Sequence, residues 1–195
     1  MKWVVRILGG LLAVLIVAVA ILAILSRRDV YKNLHASVLI HRAPEVIWPW
    51  LYEPDKVKSW VSWLVEVRRD GNAPPVAGMP TTWVMEDQNN GGSRMEIQAV
   101  VQRVEAPRQL VLTVRTPGTF HGSSTYTLVD RVSGAVEVNV DNHYEFESDF
   151  ARLMVPLIAR LARKKMASDL DHLRSLVEGT PAALLMAAPV AAAAR

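Results

Sequence analysis

The 195-residue sequence has no cysteine. Disulfides, thiolate metal sites and cysteine nucleophiles are therefore excluded. This leaves the compartment open, because a cysteine-free chain suits either side of a membrane. The short motifs behind many common chemistries are missing too. There is no His-Glu-x-x-His, no phosphate-binding glycine loop, no dinucleotide fingerprint and no Gly-x-Ser-x-Gly. The glycine-rich stretch Asn89-Asn90-Gly91-Gly92 lies between two predicted strands and reads as a hairpin turn. It lacks the helix that would present amides to a phosphate. An excess of charge of either sign is also lacking, with 22 Lys and Arg against 19 Asp and Glu. The net charge is +3, and residues 1–32 carry +4 through Lys2, Arg6, Arg27, Arg28 and Lys32 against Asp29. The remaining 17 basic and 18 acidic residues leave the rest of the chain near neutral, which argues against a nucleic-acid-binding surface.

What is abundant is apolar, and it starts at the N-terminus. Nineteen residues from Ile7 to Leu25 carry no charge. As a helix they span roughly 28 Å, about the hydrocarbon thickness of a bilayer. Trp3 stands at one end, and Arg6 and Arg27-Arg28 close the two sides. A single-pass membrane anchor over residues 7–25 is the expectation. The alternative is a cleaved signal peptide, whose apolar core usually runs only about 7–15 residues. The basic set after the run is the larger, which favours a cytoplasmic domain under the positive-inside rule; the N-terminal amine partly offsets it.

Residues 33–179 read as one domain. Leu34–His41 predicts a strand with Ala36, Val38 and Ile40 on one face. Ala43-Pro44-Glu45 predicts the start of a short helix, which Pro49 cuts, and a second short helix spans about Asp55–Trp60. Six β-rich segments follow: Ser62–Arg69, Thr81–Asp87, Arg94–Arg103, Gln109–Thr116, Gly122–Asp130 and Gly134–Phe146. Turn clusters at regular spacing separate them, which predicts an antiparallel meander. In the last segment Val136, Val138, Val140, Asn142, Tyr144 and Phe146 alternate with Glu137, Asn139, Asp141, His143 and Glu145. One face is thus buried and one wet. The same logic turns Met95, Ile97, Ala99, Val101, Leu112, Val114, Tyr126 and Leu128 inward.

After Ser148-Asp149, as N-cap, a long helix is predicted to run to about Glu178. Its apolar stripe is Phe150, Leu153, Met154, Leu157, Ile158, Leu161, Leu170, Leu173 and Leu176. Pro156 is expected to kink it or split off a leading helix. Arg160, Arg163, Lys164 and Lys165 fall mostly off the stripe and read as a solvated face, with anionic headgroups as the alternative contact. Residues 180–195, half of them alanine, read as a poorly ordered tail.

Sequential antiparallel strands with one buried face need a cover, and the final helix is the only element long enough. The predicted architecture is α+β, a curved sheet gripping one long helix with a pocket between them. Residues Leu34–Trp60, with Ala43-Pro44-Glu45-Val46-Ile47-Trp48 and the later Asp55 and Trp60, resemble the opening of the polyketide cyclase/dehydrase and START-like (SRPBCC) superfamily. The end is similar as well: Pro156, Arg160, Leu161, Lys164, Asp169-Leu170, Leu173 and Val177-Glu178. The resemblance covers about residues 33–179 and implies a helix-grip fold of the START and Bet v 1 kind. It also implies binding of a sterol, lipid, plant hormone or polyketide, or in some members cyclisation or hydrolysis. Pro49, inside the first helix, departs from the family's pattern at that end of the pocket.

The pocket-lining candidates follow from these faces. Trp60, Trp63 and Trp83 meet where the second short helix reaches the first inner strands. Met85, Met95, Ile97, Leu112 and Val114 extend the wall. Tyr126, Leu128, Val138, Val140, Asn142 and Tyr144 come from the last two strands, and Met154 and Ile158 from the helix. Tyr126 and Asn142 are the inward polar groups that could hydrogen-bond a ligand oxygen, although ordinary core packing explains each residue equally simply. The five histidines, His35, His41, His121, His143 and His172, are scattered, and none has metal-ligand spacing. No catalytic residue, metal or cofactor is expected. Binding of a hydrophobic small molecule or lipid at the membrane ranks first. A cyclase/dehydrase-like enzyme, which positioning alone could support, is the alternative. A purely structural partner comes last.

Overall fold

The computed structural model describes residues 2–28, 31–69, 71–87 and 91–179. The alanine-rich tail and the Asn89-Asn90 half of the expected turn lie outside the described residues. Helix α1 spans Lys2–Leu25. Its segment Arg6–Leu25 is long and apolar enough to cross a membrane, a property shared by anchors and signal sequences.

Strand β1 (Asn33–Ile40) alternates between exposed and buried along its whole length, as a half-buried strand must. Helix α2 (Pro44–Ile47) starts on a proline whose missing N–H costs nothing at that position. Pro49 then tightens the chain into a 3-10 turn, Trp48–Leu51, which buries Trp48, Trp50 and Leu51. Helix α3 (Pro54–Trp60) likewise begins on a proline. Six strands follow: β2 (Leu64–Arg68), β3 (Pro80–Asp87), β4 (Ser93–Glu105), β5 (Gln109–Thr116), β6 (Phe120–Asp130) and β7 (Val136–Phe146). Helix α4 spans Asp149–Gly179, with the Ser148 hydroxyl accepting a hydrogen bond from the Ala151 amide at 3.1 Å.

The seven strands form one antiparallel sheet in the order β1-β7-β6-β5-β4-β3-β2. It is a curled half-barrel, bent by register shifts at Leu64/Glu66 and Val101/Arg103. Helix α4 packs against β1, β7 and α3, while the inner face of β4 and β5 joins the core cluster with Trp48, Trp50, Leu51 and Trp60. The C-terminal half of α4 makes the tight core, where Leu170, Leu173 and Val177 meet Ile40, Val136 and Val138, all at most 2 % exposed. There the Glu178 carboxylate accepts the His41 amide at 2.8 Å, and Arg42 donates to the Glu178 carbonyl at 2.6 Å.

Two expectations for α4 are corrected in part. Of the kink or split expected at Pro156, the split does not occur, and the element is continuous. The proline ring is buried with Val155 against the domain, which offsets the lost backbone bond. The expected apolar stripe also does not point inward along its whole length. Leu170 and Leu173 are buried, but Phe150, Leu157 and Leu161 are 73 %, 48 % and 70 % exposed. The buried face of the first half consists instead of Val155, Pro156 and Ala159. Smaller side chains there set the helix against the sheet, and helical spacing turns the larger ones outward.

Candidate functional site

Between the first half of α4 and the curled sheet lies a mostly apolar cavity of about 360 Å³. That volume is within the usual range of small-molecule sites, roughly 300–1,000 Å³. Strands β6 and β7 supply its polar end. Their register sets Ser124 opposite Asn142, Tyr126 opposite Val140 and Gly122 opposite Tyr144. The Ser124 hydroxyl donates to Asn142 Oδ1 at 2.5 Å, and Asn142 Nδ2 points to Met166 Sδ at 3.5 Å. A side chain at position 122 is impossible without moving β7, because its Cβ would lie 1.9 Å from the His143 carbonyl oxygen. Glycine thus lets the two strands close under Tyr144, whose ring stacks edge-on against Phe120 at 5.3 Å.

Burial pushes the phenols of Tyr126 and Tyr144 above the usual tyrosine value of 10. Tyr144 and Asp169 add to the rise at Tyr126, and a hydrogen bond with Ser124 opposes it at Tyr144. Tyr126 is 6 % exposed and stands in the cavity wall.

A charged group closes one side. Buried Asp169 accepts from the Ser62 hydroxyl at 2.5 Å and the Ser62 amide at 3.2 Å, while Lys165 Nζ pairs with its other oxygen at 2.7 Å. Lys165 also donates to the Ser62 carbonyl and lies 4.9 Å from the centre of the Trp63 ring. Trp63 adopts φ 73°, the left-handed region that a bulky side chain rarely enters. The α4 ion pair and the strained turn between α3 and β2 therefore fasten each other at the cavity wall. Lys165 does not belong to a solvated basic face, and Arg163 stacks on Tyr31 at 6.0 Å; these two depart from the expectation.

Of the sixteen residues expected to line the pocket, eleven surround the cavity: Trp60, Trp63, Trp83, Met85, Met95, Ile97, Tyr126, Val140, Asn142, Tyr144 and Ile158. Five do not. Leu112, Val114, Leu128 and Val138 belong to the packed core, where the sheet closes on itself and on α4. Met154 sits half-buried on the flank of α4, outside the cavity lining. Alternation gives the face of a strand but not the position along it where core becomes cavity.

Sequence reasoning missed Ser124, Lys165, Met166 and Asp169 as lining residues. The Lys165/Asp169 spacing of four on one helix was the available signal. The histidines take no part in the cavity. His121 lies 3.5 Å from Glu145 and 3.7 Å from Glu147, and His35 pairs with Asp141 at 2.7 Å. Among the described residues, no cluster of three or more His, Asp or Glu could hold a metal. A wider cleft, of about 810 Å³, separates the last turn of α1 from the domain, with Arg27, Lys32, Glu145, Glu147 and Arg152 on its walls.

Solved structures share this architecture at low identity. A conserved protein of Geobacillus kaustophilus superposes with TM-score 0.62 at 10 % identity, over 75 % of this chain and 95 % of that one. A Rhodobacter sphaeroides protein gives 0.61 at 16 %, over 77 % and 95 %. DynU16, a protein of the dynemicin biosynthetic locus, gives 0.54 at 17 %, over 77 % of this chain and 49 % of its own. No curated protein matches the chain. The family model for polyketide cyclase/dehydrase and lipid transport proteins matches residues 32–178. By that match, together with the helix-grip fold, the chain belongs to the polyketide cyclase/dehydrase and lipid transport family.

Proposed function

We propose that this protein binds an uncharged hydrophobic molecule or lipid in the cavity between the sheet and α4, while α1 anchors it in a membrane. The observation that carries the reading is the mostly apolar cavity of about 360 Å³, with Tyr126, Ser124 and Asn142 as polar groups in its wall. A ligand oxygen beside the Tyr126 hydroxyl would gain one hydrogen bond, worth about 1 kcal/mol net. Lys165 and Asp169, the charged side chains on the cavity wall, neutralise each other. No unpaired charge among the described lining residues is left for a carboxylate or phosphate. A neutral molecule with one hydroxyl or carbonyl group fits best.

A cyclase- or dehydrase-type reaction is the second reading, favoured by the family's description. It needs a group that moves a proton. The two phenols are held protonated by burial, and Asp169 is engaged by Ser62 and Lys165. Binding therefore ranks first.

The test is native mass spectrometry of the full chain released from detergent after exposure to a membrane lipid extract. A one-to-one neutral apolar adduct is expected. Tyr126→Phe should weaken it by about tenfold, the equivalent of one hydrogen bond, and Ala162→Trp, which fills the cavity from α4, should abolish it. An adduct that survives Ala162→Trp, or conversion of the bound molecule, would overturn the reading.

A further inference from the structure

The first half of α4 carries an apolar stripe that no part of the domain covers. Phe150, Leu157 and Leu161 lie seven and four residues apart, hence on one helix face, and all three are exposed. Large apolar side chains in such a row on a water-facing surface mark a contact. Arg160 and Lys164 flank the row, are exposed and have no ion-pair partner among the described residues. Asp149 is the one exposed acid at the start of this segment, and it is bonded to Arg152 at 3.0 Å.

The position of α1 indicates what lies opposite. Leu22, Ala23, Leu25 and Ser26 in its last turn are half-buried, whereas the turns before them are exposed. Ala23 and Ser26 face Asp149, Leu153 and Val155 across the cleft. The apolar helix therefore leaves the domain beside the N-terminal end of α4. Where α1 crosses a bilayer, its exit at Ser26, Arg27 and Arg28 marks the headgroup plane, and the exposed stripe of α4 is carried to that plane.

We propose that this face of α4 lies in the membrane interface. Phe150, Leu157 and Leu161 sit at the acyl boundary, and Arg160 and Lys164 contact anionic phospholipid headgroups. The pattern is that of an interfacial helix, with large apolar residues on one side and cations at its edges. The inference rests on the anchored reading of α1. It gives that reading a consequence: Ile158, Ala162 and Lys165, on the cavity side of the same helix turns, face a pocket held at the lipid surface.

The absence of cysteine makes the test clean. Single variants Val14→Cys, Val132→Cys, Leu157→Cys and Leu161→Cys of the full chain are labelled with an environment-sensitive fluorophore. They are reconstituted into vesicles of phosphatidylcholine with a minority of phosphatidylglycerol. Doxyl-labelled phospholipid should quench the labels at positions 157, 161 and 14. The label at position 132, in the β6–β7 turn and 91 % exposed, should stay bright. Arg160→Glu with Lys164→Glu should lower quenching at 157 and 161 and leave that at 14 unchanged. Quenching at 14 without quenching at 157 and 161 overturns the interface. If those two labels are also shielded from aqueous iodide, a second copy covers the face instead. No quenching at 14 removes the anchor, and the interface with it.

Discussion

Removing the Asp169 carboxylate should loosen the cavity wall, and the structure sets the size of the effect. Asp169→Ala deletes the acceptor of two Ser62 bonds and the partner of Lys165. Breaking a buried pair costs about 3–5 kcal/mol where the surviving charge stays dry. Lys165 is 21 % exposed, so water recovers part of that, and a loss of roughly 2–3 kcal/mol remains. At about 3 °C per kcal/mol for a chain of this length, Tm should fall by roughly 6–9 °C. The damage should also be local. Trp63 holds a backbone conformation that costs about 1–2 kcal/mol, and Ser62 beside it is tied down by Asp169. Without that tie, residues 62–64 should exchange amide hydrogens faster than the rest of the sheet. Asp169→Asn keeps an acceptor for Ser62 and loses only the ion pair, so its cost should be about half as large. Thermal unfolding and hydrogen exchange of the full chain in detergent measure both quantities. A loss below about 0.5 kcal/mol for Asp169→Ala, or an equal loss for both variants, would refute the reasoning.

Two further outcomes follow from single contacts. Gly122→Ala places a methyl group 1.9 Å from the His143 carbonyl oxygen, so β6 and β7 must separate. A cost of about 3 kcal/mol in thermal unfolding is expected, and a variant as stable as the parent would contradict the close approach. The Glu178 carboxyl is held below the usual glutamate value of 4.5, first by the His41 amide and then by the His41 side chain. A lowered folded value means that this stabilisation is present above pH 4.5 and fades as the pH drops through the lower value. Glu178→Gln should therefore cost about 1 kcal/mol at neutral pH, and its stability should converge with the parent's as the pH falls below the ordinary glutamate range. A gap that stays constant with pH would show that the charge is irrelevant.

Much of the fold was legible in the sequence, because local patterns govern it. The alternation of Val136, Val138 and Val140 with Glu137, Asn139 and Asp141 fixed both the strand and its buried face. Pro44, Pro49 and Pro54 punctuated the short helices through their fixed φ and missing N–H. The uncharged run from Ile7 to Leu25 needed only counting.

Three features were decided by tertiary structure alone. Val138 and Val140 share one face of one strand, yet the first is sealed under α4 and the second lines the cavity. That boundary depends on how the curled sheet diverges from the helix. The helical spacing of Phe150, Leu157 and Leu161 announced an apolar face but not its direction. Val155, Pro156 and Ala159 took the inward side because smaller groups let α4 settle on the sheet, and the larger residues were left outside. The tie among Ser62, Trp63, Lys165 and Asp169 joins positions more than one hundred residues apart. No periodicity encodes such a pairing. It exists because the chain folds α4 back over the turn between α3 and β2, which brings a buried carboxylate to the donors that satisfy it.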